Sequence, residues 1–201
     1  MSIVTLNNRA LKDATAVGSI TGLGDLIFIS RSTASTSSNI SFTSGIDNTY
    51  KEYIFFWNSI NPSNDVTNFE FNMSVDGGSN YNVTKTTTFF RAYQKENDGD
   101  KGLAYDAPDD LAQSTNYVRL AVGTGADGDQ SCSGYLHIFN PSDTTFTKHY
   151  IARCNNYIGV NYSFDSYMGG YGNTTSAVNA IDFRYSAGTI VSGTIDMYGV
   201  K

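Results

Sequence analysis

An all-β fold, an antiparallel β-sandwich of jelly-roll type behind a short N-terminal arm, is what the sequence predicts, and three observations predict it. Gly, Ser, Thr and Asn make up 81 of 201 residues, aromatic residues reach 13% and charged residues only 16%, a balance poor in helix formers and rich in strand and turn formers. Asp outnumbers Glu 16 to 3; Asp favours turns and caps, Glu favours helix interiors, and a helical bundle is excluded. Strand signals separated by turn chemistry recur about every 8 to 14 residues, the spacing of a sandwich.

A chain of 201 residues is one domain's length and can bury roughly 70% of its extended surface without disulfides or metals. Residues 1–25 read as an arm or anchor: Ile3 to Leu6 is a short strand signal, and Leu11, Ala14 and Val17 keep helical spacing until Gly18, Gly22 and Gly24 break it. The sandwich domain is residues 26–201. Its expected strands are 26–30, 40–43, 52–60, 69–75, 83–93, 117–123, 134–139, 146–154, 158–164, 168–171, 180–185 and 193–200. In the fourth, Phe69, Phe71, Met73 and Val75 alternate with Glu70, Asn72 and Ser74, so one face is expected buried and one wet. Tyr53-Ile54-Phe55-Phe56-Trp57 is apolar on both faces, which predicts a central strand whose second face needs a partner. The inward set is expected to be Phe55, Trp57, Phe69, Phe71, Met73, Leu136, Ile138, Ile181, Phe183 and Ile195. Asp76-Gly77-Gly78, Asp98-Gly99-Asp100, Asp127-Gly128-Asp129 and Asn140-Pro141-Ser142-Asp143 are turns joining antiparallel hairpins. The acidic stretch 95–115 reads as a long loop and contact surface, with one helical turn near Pro108.

A net charge of −6 and a pI near 4.7, with Lys and Arg scattered singly, argue against a nucleic-acid partner. No stretch approaches 18 consecutive apolar residues, so no membrane insertion by a helix is expected. The N-terminus carries Asn7, Asn8, Arg9, Lys12 and Asp13 where a secretion signal would need an apolar run. Cys132 and Cys154 lack zinc-site spacing and read as buried free thiols.

Hydrolysis of a glycan needs two facing carboxyl groups. Glu70 is the best single carboxyl, expected on the wet face of its strand, and nothing in the sequence nominates its partner. His137 falls opposite Lys148 or His149 to within a residue or two in a hairpin turning near Pro141, with no third metal ligand specified and Cys154 too distant to pair with His149. No catalytic set emerges. Calcium is the more plausible ion: Asp98 and Asp100, and separately Asp127 and Asp129, put oxygen ligands on short loops, although neither is an EF-hand. No other cofactor is expected. Tyr157, Tyr162, Tyr167 and Tyr171, interleaved with Asn156 and Asn161, would make either a sugar-stacking surface or a subunit contact.

Several runs carry a resemblance: Asn7-Asn8-Arg9-Ala10-Leu11-Lys12-Asp13, Thr43-Ser44-Gly45-Ile46-Asp47-Asn48-Thr49-Tyr50, Leu136-His137-Ile138-Phe139-Asn140-Pro141-Ser142, Lys148-His149-Tyr150-Ile151-Ala152, Gly170-Tyr171-Gly172-Asn173-Thr174 and Ser192-Gly193-Thr194-Ile195-Asp196-Met197-Tyr198. Together they span nearly the whole chain, which resembles small structural proteins of marine tailed bacteriophages, of the cyanophage and pelagiphage type. The chain departs from them at Gly125 to Gly134, where Gly128 loosens the acidic turn and weakens any fixed cation site. The resemblance implies a non-enzymatic virion protein, a head decoration or a tail appendage or fibre component, assembled in the host cytoplasm. Its implied partners are other virion proteins, one of which takes the arm, and copies of itself, with a homotrimer expected. The second expectation is a lectin-like module that recognises host surface glycan through residues 155–173.

Overall fold

A computed structural model describes residues 26–201, so the arm read at 1–25 lies outside the described residues. Twelve strands form: β1 (Leu26–Thr33), β2 (Ile40–Phe42), β3 (Glu52–Pro62), β4 (Thr67–Ser74), β5 (Lys85–Lys95), β6 (Lys101–Tyr105), β7 (Val118–Thr124), β8 (Cys132–Phe139), β9 (Lys148–Ile158), β10 (Tyr162–Gly172), β11 (Ala180–Tyr185) and β12 (Ile190–Val200). Among the described residues the one helical element is a 3-10 turn at Ala107–Asp109, opened by Pro108, whose fixed φ suits a first turn. Every strand pairing is antiparallel.

Two layers result. One sheet runs β1-β12-β3-β8-β9-β10-β5-β6 and the other β7-β4-β11-β2, joined at one corner where Thr124 of β7 meets Ile158 of β9. With hairpins β5–β6 and β9–β10 set aside, the other eight strands, numbered in chain order, lie 1-8-3-6 in one sheet and 2-7-4-5 in the other. That is the connectivity of a jelly roll, two Greek keys folded face to face. The two inserted hairpins continue the first sheet past β8 and make it twice as wide as its partner.

The core fills the space between the layers. All ten residues expected inside are buried, and their rings meet across the sheets edge to face: Trp57 on Phe69 with centroids 5.6 Å apart, Phe42 on Phe55 at 5.2 Å, Phe71 on Tyr150 at 5.2 Å. Phe183 lies among Phe42, Phe55, Trp57, Phe69 and Phe71 and ties both layers together. Gly134 makes room for Trp57: a Cβ there would stand 2.8 Å from the indole and 2.9 Å from the Cys154 backbone, closer than packed atoms allow. Cys132 and Cys154 are free and buried.

Three expectations need correction. The stretch 95–115 is not one long loop; β6 forms inside it, pairing Tyr105 with Phe90 and Leu103 with Ala92, so that its alternating apolar residues extend the sheet. The segments 158–164 and 168–171 are not separate strands, because β10 runs unbroken through Asp165, Ser166 and Tyr167. The second face of β4 is not wet: Glu70, Asn72 and Ser74 are all buried, beneath the segments that follow β4 and precede β7. Asn72 shows the cause, since its amide donates to the carbonyls of Tyr81 at 2.6 Å and Thr115 at 3.0 Å. Glu70 therefore sits in a covered cleft and not on an open face.

Candidate functional site

The wide sheet turns one face to the core, and among the described residues no segment covers the other, bare face. Register places Arg31, Asp196, Phe56, Tyr135, Arg153, Tyr167, Phe90 and Tyr105 in one row across all eight strands. A neighbouring row holds Tyr198, Ile54, His137 and Ile151. This is the second face of β3 that the sequence leaves without a partner: Tyr53, Phe55 and Trp57 point inward while Ile54 and Phe56 point outward, and β3 is central, between β12 and β8. Phe28, Phe90, Leu103, Tyr105 and Ile151 are exposed on it, an apolar face of the kind that marks a contact surface.

The aromatic groups on this face are organised. Phe90 and Tyr167 stack with centroids 4.9 Å apart and planes within 4°. The Arg153 guanidinium lies over the Tyr167 ring at 4.8 Å and forks onto Asp165 at 2.9 and 2.6 Å, and the Tyr167 hydroxyl donates to Asp165 at 2.9 Å. Arg153 holds the Asp165 carboxyl below its usual range, and the Tyr167 hydroxyl is pushed up by its bond to that carboxylate. Arg31 forks onto Asp196 in the same way at 2.6 Å, and His137 meets Glu52 at 2.8 Å. Charges across the middle of the face are thus paired within the chain, while its net charge is −6.

The hairpin β9–β10 separates the six residues singled out in the sequence. Tyr157, Tyr167 and Tyr171 take the bare face. Tyr162 and Asn156 take the opposite one, where Asn156 is buried and donates to the Val122 carbonyl at 3.0 Å. The Tyr162 hydroxyl donates to Asp100 at 3.0 Å, and Lys95 lies over its ring. Asn161 is in the turn with φ 65°, a left-handed conformation Asn tolerates, and accepts from the Tyr157 hydroxyl at 3.3 Å. Phe90, Tyr135, Arg153 and Asp165 join the surface without any local motif that marks them. Their signal is register: Arg153 and Asp165 lie nearly symmetric about the turn at 159–161.

The four aspartates considered for calcium fall on two turns. Asp98 accepts from Lys101 at 2.6 Å and Gln94 at 2.9 Å, Asp100 receives Tyr162, and Asp127 and Asp129 lie in the turn closed by the Gln130 amide. Among the described residues no three His, Cys, Asp or Glu side chains gather as a metal-ion set. His137 pairs with Ile151, two residues from His149, and the two imidazoles have separate ring partners, Phe139 and Tyr171.

No family model, curated protein or solved structure matches the chain. The fold and the face define an antiparallel jelly-roll sandwich with a widened sheet whose outer surface is aromatic and internally charge-paired.

Proposed function

We propose that this chain is a non-enzymatic virion structural protein of a tailed bacteriophage, displayed on the particle as a head decoration or a tail appendage component. It assembles in the host cytoplasm with other virion proteins and with copies of itself. The observation that carries the reading is the bare aromatic face of the wide sheet, which a solitary protein in water would have no use for. The sequence resemblance to phage structural proteins and the frequency of jelly rolls in virion proteins support it, the latter as fold-level analogy. Because the charges on the face are already paired, another copy can cover it without leaving a charge unmatched, despite the chain's acidity. A closed trimer is the form proposed, by analogy with phage appendages.

A second reading, a lectin-like module for host surface glycan, is favoured by one observation: the stacked Phe90 and Tyr167 rings beside Arg153, Asp165 and Asn155 combine a flat apolar platform with flanking polar groups. The deciding experiment is a stoichiometric count of the chain in purified virions by quantitative mass spectrometry. Hundreds of copies per particle fit a decoration, a few to a few tens fit an appendage, and absence from the particle overturns the proposal.

A further inference from the structure

The narrow sheet carries an unrelated feature on its own outer face. Register sets Arg184 of β11 beside Glu70 of β4, and Glu70 beside Arg119 of β7, so a row of alternating charge crosses three strands. Residues 108–117 stand over this row and enclose a half-open cavity of about 570 Å³, a size that suits a small ligand. Two groups in it are fixed in place and unsatisfied. Glu70 is only 8% exposed, makes no side-chain hydrogen bond to a described residue, and has Arg184 Nε at 3.7 Å, beyond hydrogen-bond reach. Arg184 Nε is itself enclosed and without a hydrogen-bond partner among the described residues, while its side chain as a whole is 44% exposed.

Packing holds both. The Arg184 guanidinium lies 3.6 Å from the centre of the Tyr117 ring, and the Tyr117 hydroxyl donates to buried Asp182 at 3.0 Å. Arg119 is turned toward Asp109, so it does not close on Glu70. Burial pushes the Glu70 carboxyl up, with Arg184 and Arg119 pulling the other way. Glu70 is thus a buried acceptor with no donor among the described residues, which is costly, and it stands beside a guanidinium half open to the cavity, so a group that donates to the one and accepts from the other matches both.

We propose that this cavity binds a neutral saccharide unit, one hydroxyl of which donates to the Glu70 carboxylate while the adjacent hydroxyl accepts from the open end of the Arg184 guanidinium. Vicinal hydroxyls are the chemistry that meets an acceptor and a donor at once. An anion would face Glu70, Asp109 and Asp110 against two guanidinia; an ammonium group would face Arg119 and Arg184; an apolar ligand would leave both groups unsatisfied. Thr115, Asn116 and Ser186 add neutral polar groups to the walls. The site lies on the sheet opposite the tyrosine-rich face and rests on neither reading of the previous section.

The test is ligand-observed saturation-transfer NMR on the full chain with glucose, galactose, mannose and N-acetylglucosamine, and inorganic phosphate as the anion control. At least one sugar is expected to bind the unmodified protein, with affinity at least about tenfold weaker in Glu70→Gln and Arg184→Lys and unchanged in Tyr167→Ala. Amide shifts of the unmodified protein on sugar addition should centre on Glu70, Arg119 and Arg184, a readout that holds even where a variant folds poorly. Lack of binding by all four sugars, preference for phosphate, or a sugar lost in Tyr167→Ala but kept in Glu70→Gln would each overturn the proposal, the last by moving the sugar to the other sheet.

Discussion

Lys85 is fully buried, and its ammonium stem ends between two neutral acceptors, Asn72 Oδ1 and the Val83 carbonyl, each at 2.6 Å. A neutral amine has two protons to donate and matches them; a third proton would have no partner. Burial accordingly pulls the amine down to about 7. In the unfolded chain it titrates near about 10.4, so between the two values the unfolded state holds a proton that the folded state lacks, and stability rises with pH. The penalty is fully present below about 7 and gone above the unfolded value, with a limiting slope of about 1.4 kcal/mol per pH unit from this group. Lys85→Met removes the titration and leaves two acceptors a donor short. Urea unfolding from pH 6 to 9 should therefore show the variant gaining on the parent at the acidic end and losing to it at the alkaline end. A stability difference that does not move with pH would reject the assignment.

At the scale of elements, the connection between β6 and β7 is held down by charge. Asp109, on the 3-10 turn, is only 8% exposed and pairs with Arg119 of β7 and, at 3.7 Å, with Arg91 of β5, whose other partner is Asp106 at 2.8 Å. The turn thus bridges a strand from each sheet. Asp109→Asn keeps the shape but removes the charge that two guanidinia share; the expected cost is about 1.5–3 kcal/mol, the range for hydrogen bonds to charged groups. Hydrogen exchange should quicken across 107–117 and leave β3 and β12 protected. Uniform loosening of all strands would show that the turn is not a separate unit. The β9–β10 hairpin behaves differently: its backbone is paired on both sides, to β8 and to β5, and its stability is that of the sheet.

For the whole molecule, the wide sheet sets the expectation of self-association. Its bare face runs from Phe28 on β1 to Tyr105 on β6, and a stable contact needs about 800 Å² from each partner. The purified chain should sediment well above 21.9 kDa. Phe56→Asp together with Tyr135→Asp puts two unpaired carboxylates in the centre of the face, where burial is most costly, and should return the chain to monomer while the inward core stays intact. A monodisperse monomer of the unaltered chain at high concentration would sink the proposed assembly and leave the stacked rings for a glycan.

Alternation is a local property, because successive side chains of a strand point to opposite faces whatever the strand later meets. That is why the sequence by itself determined the all-β class, most strand positions, the ten inward residues and the two-faced character of β3. It could not determine what covers the second face of each strand. Glu70, Asn72 and Ser74 alternate like solvent-facing residues, and only the return of distant segments over β4 buries them; the cleft at Glu70 and Arg184 follows from the same return. A gap is expected at 165–167, yet β10 runs on through it and through Gly169 and Gly170; a Cβ at Gly170 would stand 2.5 Å from the Thr86 carbonyl oxygen and 2.9 Å from the Tyr150 hydroxyl, so the glycine is there for its neighbours, not for a turn. The tyrosine-rich segment is legible as a run of exposed-type aromatics, but not which of its residues share a face. Membership of the surface depends on where the hairpin turns and on which strands flank it, and pairing between residues far apart in the chain is decided by the packing of the whole sandwich.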